Sequence, residues 1–253
     1  MVADRKDIIA NAFTKAAARY ESAAQAQETV AGRLAAALPP LAEGTRVLEV
    51  GCGTGLLTRH LLARLPASAT LLASDLSPGM IAAASAALAD PRLSFAVMDA
   101  EAPETAGSFD LIASSLAAQW FTDLPATLAG LVDLLRPGGT LLLATLGADT
   151  FAEWRAAHIA LDVESGVPDY PSAGTLAAML PGARVESWPF TLPYPDARAF
   201  LASLAAIGAT TPRPGHRPLP AGTLRRVMTS LGRPCAMTWD VLLLRVTTQA
   251  SLP

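Results

Sequence analysis

A glycine-rich loop, GCGTG at positions 51–55, is the part of this sequence best suited to bind a ligand. It follows a strand-like apolar run, Arg46–Val50, and precedes a segment with apolar residues at helical spacing, Leu56–Leu65. Glycine permits a tight turn and lets backbone amides approach a ligand closely, at the positive end of the helix that follows. The loop therefore predicts a site for a nucleotide-type cofactor.

Three positions around the loop bear on which cofactor it binds. A dinucleotide site wants its third glycine one position later, where this chain has Leu56, and this counts against nicotinamide and flavin. Glu49 precedes the loop on the strand itself. Asp75 comes 24 residues after Gly51, at the end of the next strand-like run, and its carboxylate can accept both hydroxyls of a ribose. The alternative is that Asp75 is a helix N-cap or a surface acid.

The spacing E-x-G-x-G-x-G resembles the first motif of class I S-adenosylmethionine-dependent methyltransferases. The resemblance implies that S-adenosylmethionine is the cofactor, with Glu49 near its methionyl end. Asp99, in VMDAE after a third strand, is then expected to accept a hydrogen bond from the adenine amino group, and FDLIASS at 109–115 is a fourth strand. The rest of the implied cofactor site is Gln27, Gly51, Cys52, Gly53, Gly55, Leu76, Met80, Ala100 and Ser115.

The segments around this core resemble one family more closely: the malonyl-acyl-carrier-protein O-methyltransferases, which catalyse the first step in making the pimeloyl part of biotin. The similarity lies in AFTKAAARYESAAQAQ at 12–27, SSLAAQWFTDL at 114–124 and LAAIGAT at 204–210. It implies methyl transfer to the free carboxylate of a malonyl thioester on acyl carrier protein or coenzyme A. On the substrate side it indicates Tyr20, as a hydrogen-bond donor to the carboxylate, with Gln119 and Trp120. Ordinary packing is the alternative for the two aromatic residues.

The third of these stretches departs from the family. A lysine is common two residues before its Ile-Gly-Ala-Thr segment, whereas this chain has alanine at 205 and 206. Arg213 and Arg217 are the nearest replacements in sequence for a group that holds the malonyl carboxylate. Their proline-rich segment, Thr210–Pro220, is predicted to be a loop and can equally be a solvated one.

The implied chemistry needs no proton-transfer residue. A carboxylate has a reference pKa of about 4 and is ionised at pH 7 without a general base. A sulfonium cation and a carboxylate partly cancel their charges in the transition state, so an apolar site favours the reaction. Alignment of the reacting atoms can then supply on the order of 7 kcal/mol or more. Two other functions stay open: methylation of another small acid or a phenol, and a catalytically inactive cofactor-binding assembly partner.

The elements that must position these residues alternate between strands and helices, which predicts an α/β fold. With the resemblance, we expect a Rossmann-like, mostly parallel seven-stranded sheet, helices on both faces, an antiparallel C-terminal strand and a helical cap. One domain, 1–253, is divided into N-terminal helices over the cofactor site (1–40), a cofactor-binding core (41–149), a substrate cap with the sixth strand (150–232) and the last strand and tail (233–253). A helical opening is predicted over about residues 7–38, strands over 93–97 and near 184–191, and a break at 136–139 before the fifth strand. Ser77 is the expected N-cap of the helix that begins at Pro78.

Composition limits the other classes of function. A hydrophobic fraction of 51% over 253 residues fits one domain with a filled core, and a net charge of −3 disfavours a general nucleic-acid binder. The two cysteines, Cys52 and Cys235, match no disulfide framework or zinc spacing, so we expect neither bridge nor metal. No apolar run reaches the roughly 18 residues of a membrane span, and the charged N-terminus does not resemble a secretory signal. We expect a cytoplasmic protein without membrane partners.

Overall fold

The computed structural model describes residues 4–105 and 108–250. The last three residues of the predicted tail lie outside the described part. Its strands are β1 (Arg46–Val50), β2 (Thr70–Asp75), β3 (Leu93–Val97), β4 (Phe109–Ser115), β5 (Leu135–Leu146), β6 (Arg184–Tyr194) and β7 (Cys235–Thr247). Its α-helices are α1 (Arg5–Ala16), α2 (Gln25–Ala36), α3 (Leu56–Leu62), α4 (Pro78–Ala87), α5 (Leu124–Asp133), α6 (Ala152–Ile159), α7 (Ala173–Met179), α8 (Ala197–Ala206) and α9 (Ala221–Ser230).

These strands form one sheet in the order β3-β2-β1-β4-β5-β7-β6. The first five strands pair in parallel, and β7 runs antiparallel to both of its neighbours. Side chains alternate along β1, so Val47 joins a hydrophobic cluster with α2 and α3 while Leu48 joins another with α5 on the opposite face. The predicted fold class is confirmed.

The strand order reverses between β1 and β4, which lie side by side at the centre of the sheet. In open α/β sheets, ligands bind at such a switch point, beyond the carboxyl ends of the strands. Gly51 follows β1, Asp75 ends β2, Asp99 follows β3 and Ser115 ends β4. The topology therefore brings the polar residues singled out in the sequence to one edge of the sheet.

The helical opening predicted over residues 7–38 is not one continuous helix. A 3₁₀ helix at Ala17–Ala23 separates α1 from α2. The break lets α1 pack against α4, where the Thr14 and Ser77 hydroxyls lie 2.8 Å apart, while α2 packs against α3. One straight helix could not reach both neighbours, and an alanine-rich stretch carries no local signal of the bend.

Two differences concern the second half of the chain. The segment Arg136–Gly139, predicted as a break before the fifth strand, lies inside β5 as a bulge, because Phe109 pairs with Leu135 and Leu111 pairs with Thr140. Helix α7 was not predicted, since the prolines before it hide its start. It begins after Ser172, whose hydroxyl accepts a hydrogen bond from the Thr175 N–H.

The loop after α8 agrees with the prediction, and strand β6 is longer than predicted. Residues 210–220 form a loop, as their prolines predict. Strand β6 continues past its predicted end at Thr191 and through Pro193, which an edge strand tolerates because one side has no ladder to complete. No helix in the described ranges is long and apolar enough to cross a bilayer. The four-part division of the chain stays a prediction.

Candidate functional site

The glycine loop after β1 needs glycine for two different reasons. Gly51, Gly53 and Gly55 have φ angles of 72°, 55° and 97°, a region that side-chain-bearing residues rarely adopt. At Gly51 a Cβ would also lie 2.3 Å from the Cβ of Ala117, whereas at Gly53 it would meet no atom of residues 4–105 and 108–250 within 4 Å. The loop therefore packs against the segment after β4 on one side and leaves open space at Gly53.

Asp75 connects the loop to the start of α4. One carboxylate oxygen accepts a hydrogen bond from the Gly53 N–H at 2.9 Å, and the other accepts one from the Ser77 N–H at 2.8 Å. Burial raises the pKa of this carboxyl, although both amides favour its charged form. Each oxygen keeps a second lone pair, so the pair of oxygens can still accept two hydroxyl groups of a ligand.

Glu49 is the most deeply buried acid of the site, with 1% of its surface exposed. One of its oxygens accepts a hydrogen bond from the Thr58 hydroxyl at 2.7 Å. Burial raises its pKa to about 8, and the Asp75 carboxylate adds to the effect. The raised pKa favours the protonated form of this side chain in the cofactor-free protein.

A first cavity brings together most of the cofactor residues expected from the sequence. Gly55 does not line it: a Cβ there would lie 2.5 Å from Leu88, and the residue caps α3. The side-chain oxygen of Gln27 is buried and has no hydrogen-bond partner in the described part of the chain, so it is free to bind a polar ligand. The expected residues that line this cavity are Gln27, Glu49, Gly51, Cys52, Gly53, Asp75, Leu76, Met80, Asp99, Ala100 and Ser115.

Helix α1 covers the cofactor cavity and contributes a residue that the sequence did not indicate. The Lys6 ammonium lies 2.6 Å from a carboxylate oxygen of Asp99 and 2.6 Å from one of Glu101. The other oxygen of Asp99 accepts the Glu101 N–H at 2.9 Å. Lys6 lies 93 positions from Asp99, so no local spacing could have found this contact.

A second cavity adjoins the first and shares Phe13, Tyr20 and Trp120 with it. The rings of Phe13 and Trp120 meet edge to face, with centroids 5.5 Å apart. Burial, with Asp75 nearby, raises the pKa of Tyr20 well above its usual value, so its hydroxyl stays a hydrogen-bond donor. Gln119 lines only the second cavity. The structure thus places the three expected substrate-side residues Tyr20, Gln119 and Trp120 around one space.

The two arginines expected to replace the family lysine are not part of this space. Arg213 forms an ion pair with Glu164 and donates to the Ser165 carbonyl, and Arg217 is exposed. Neither lines the cavity, because the loop that carries them turns its proline and threonine residues inward instead. Within the described ranges, the second cavity has no charged side chain in its wall.

Comparisons with known proteins agree with this geometry. A protein-family model described as a methyltransferase domain matches residues 47–139. Two solved structures share the fold: the YcgJ protein of Bacillus subtilis (TM-score 0.63, 18% identity, 88% of this chain and 99% of that one) and a putative methyltransferase of Bacillus halodurans (TM-score 0.64, 15% identity, 88% and 100%).

Sequence relatives define the family more narrowly. The biotin biosynthesis bifunctional protein BioCD of Bordetella avium is 46% identical over 89% of this chain, which spans about half of that protein's length (49%). Malonyl-[acyl-carrier protein] O-methyltransferases of Magnetococcus marinus and Dechloromonas aromatica are 40% and 35% identical, over 84% and 93% of this chain and 81% and 92% of theirs. The chain belongs to the malonyl-[acyl-carrier protein] O-methyltransferase family.

Proposed function

We propose that this protein is an S-adenosylmethionine-dependent O-methyltransferase that methylates the free carboxylate of a malonyl thioester, at the start of pimeloyl synthesis for biotin. The observation that carries the proposal is the pair of adjoining cavities. One is bordered by the glycine loop and four acids, the other has an uncharged wall, and they meet at Tyr20 and Trp120. The names of the relatives support the choice of malonyl thioester, carried by acyl carrier protein or coenzyme A.

The residues of the first cavity fit this cofactor. Asp75 offers two oxygens to the ribose hydroxyls, Asp99 an oxygen to the adenine amino group, and Glu49 a buried carboxyl to the ammonium of the methionyl end. The space beside Gly53 lets a ligand lie against the backbone. When bound, the cofactor supplies an electrophilic methyl group on a positively charged sulfur.

The chain's own contribution to the reaction is orientation and exclusion of water. Tyr20 donates a hydrogen bond to the substrate carboxylate and fixes which oxygen faces the first cavity. The edge-to-face rings of Phe13 and Trp120 limit how far the acyl group can move at the junction. The uncharged wall of the second cavity removes water from the carboxylate, which raises its reactivity toward a cation.

Transfer of labelled methyl groups to malonyl-acyl carrier protein, malonyl-coenzyme A and a phenol tests the proposal. We expect methyl ester to form on the malonyl substrates and not on the phenol. Tyr20→Phe should lower kcat about tenfold while S-adenosylhomocysteine binds with unchanged affinity, because only a hydrogen bond to the carboxylate is lost. Tight S-adenosylhomocysteine binding without turnover of either malonyl substrate would contradict the proposal. The cytoplasmic location and the expected absence of nucleic-acid, membrane and metal partners stay predictions.

A further inference from the structure

Two arginines lie directly behind the wall of the second cavity and hold its loops. The Arg5 guanidinium donates to the Pro212 carbonyl at 3.0 Å. Arg155 donates to the Pro168 carbonyl at 2.6 Å and to the Thr150 carbonyl at 3.1 Å. Both Pro168 and Pro212 line the cavity. Both cations therefore contact the backbone of residues that line the cavity, although they belong to α1 and α6.

Neither guanidinium has a carboxylate to neutralise it in the part of the chain that the structure describes. This sets them apart from Arg213, which pairs with Glu164, and Arg136, which pairs with Asp110. Each guanidinium carries five N–H donors, so backbone carbonyls leave several unused. Half-buried, unpaired guanidinium groups are well suited to bind a phosphate through charge-assisted hydrogen bonds.

Tyr170 supplies a third donor in the same place. It lines the second cavity, and its phenol hydroxyl is a hydrogen-bond donor. Burial raises the pKa of Tyr170 to about 12, and the charges of Arg155 and Arg5 act against that rise, so both cations lie near the ring. Because the phenol stays protonated, it can donate to an anion beside the two guanidinium groups.

The position of this group along α1 relates it to the reacting end of the cavity. Phe13, at the junction with the cofactor cavity, is eight residues from Arg5, which corresponds to about 12 Å of α-helix. A phosphopantetheine arm contains two amide groups and is roughly as long as four extended residues, about 14 Å. An acyl thioester at the junction would thus place the phosphate of its arm near Arg5.

We propose that Arg5, Arg155 and Tyr170 bind the phosphate ester at the far end of a phosphopantetheine arm whose acyl thioester lies in the second cavity. The proposal rests on the proposed function, and it names the part of the substrate that the cationic residues recognise. Acyl carrier protein and coenzyme A both carry this phosphate. The carboxylate at the other end is then held by neutral donors, so the two negative charges of the substrate are recognised by different groups.

Substrates with and without the phosphate distinguish recognition of the phosphate from recognition of the carboxylate. Wild type, Arg5→Gln and Arg155→Gln are assayed with malonyl-pantetheine, which lacks the phosphate, and with malonyl-coenzyme A and malonyl-acyl carrier protein. We expect each substitution to raise KM about tenfold for the two phosphate-bearing substrates and less than twofold for malonyl-pantetheine. Arg155→Lys should recover part of the loss, and Arg225→Gln, an exposed change on α9, should have no effect. A lower KM for the carrier protein than for coenzyme A would identify the carrier as the preferred source.

Equal losses on malonyl-pantetheine would overturn the proposal, since the arginines would then act on the carboxylate or on the loops. Calorimetry without turnover tests it independently of the reaction. Wild type should bind 4′-phosphopantetheine at least tenfold more tightly than pantetheine, and Arg155→Gln should lose that preference. Equal binding of the two compounds refutes the phosphate site even if malonyl groups are methylated. A preserved preference in a protein that methylates no malonyl substrate would refute the proposed function alone.

Discussion

Alanine substitutions at Gly51 and Gly53 distinguish a glycine that the packing of the loop requires from one that leaves room for the ligand. Gly51 and Gly53 both have a positive φ, so each alanine variant bears the cost of a left-handed backbone, about 1 kcal/mol. Only at Gly51 would the new Cβ meet the chain, 2.3 Å from the Cβ of Ala117. The two variants therefore bear the same backbone cost, and only Gly51→Ala adds a steric clash.

The contact with Ala117 sets the size of the difference. Forcing one extra methyl group into a packed site costs about 1–3 kcal/mol, so Gly51→Ala should lose roughly 3 kcal/mol in total and Gly53→Ala about 1 kcal/mol. In a domain of this size 1 kcal/mol corresponds to about 2–4 °C in Tm. We expect a Tm about 10 °C below wild type for Gly51→Ala and about 3 °C below it for Gly53→Ala, both without cofactor.

Cofactor affinity should not follow stability: Gly53→Ala should lose much affinity although it loses little stability. The methyl group of Gly53→Ala enters open space beside the cofactor cavity, so affinity for S-adenosylhomocysteine should fall at least tenfold in a variant that is nearly as stable as wild type. Thermal unfolding followed by circular dichroism and titration calorimetry measure the two quantities. Equal Tm losses in the two variants, or wild-type affinity in Gly53→Ala, would refute this account of the loop.

Two other predictions concern charges at the cofactor cavity. Glu49 has a pKa of about 8 when folded and near 4.5 when unfolded, so the folded chain binds an extra proton between these values and cofactor-free stability should fall as pH rises from 5 to 8, by at most about 1.4 kcal/mol per pH unit. Glu49→Gln should flatten this slope in thermal unfolding, and identical slopes would contradict the assignment. Lys6→Ala removes both ion pairs that hold α1 over the cavity, so S-adenosylhomocysteine should dissociate about fivefold faster in stopped-flow measurements, with Lys15→Ala as the control at the exposed end of α1. An unchanged dissociation rate would show that α1 does not retain the ligand.

The cofactor half of the molecule could be predicted from the sequence because its signals are local. β1, β3 and β4 have the bounds expected from their apolar runs. β1 and β4 are largely buried, and strands buried on both faces read as continuous hydrophobic segments between polar loops. The N-cap at Ser77 was also predicted, and its hydroxyl accepts the Met80 N–H. Each feature depends on residues within a few positions of one another, so a pattern in the chain was enough to find it.

The substrate half could not be predicted in the same way. Its cavity is built from segments near positions 13–27, 116–120, 166–170 and 201–212 that meet only in the folded chain. Proximity in sequence indicated Arg213, but Glu164 neutralises it. Arg155, which has no carboxylate partner among the described residues, lies 58 positions earlier and belongs to no motif that the sequence analysis used. The bend between α1 and α2 likewise decides where Tyr20 lies, although no residue pattern in this part of the sequence predicts the bend.

The two cavities differ in how strictly each one fixes the type and position of its residues. The first cavity must match one cofactor, and its acids act through fixed hydrogen bonds to the loop, such as that from the Gly53 N–H to Asp75. Under the proposed function, the second cavity needs only an uncharged interior for the reacting carboxylate and a cation near the other end of the substrate. The alanines at 205 and 206, where the family resemblance led us to expect a lysine nearby, are compatible with that requirement if Arg5 and Arg155 supply the positive charge from a different side.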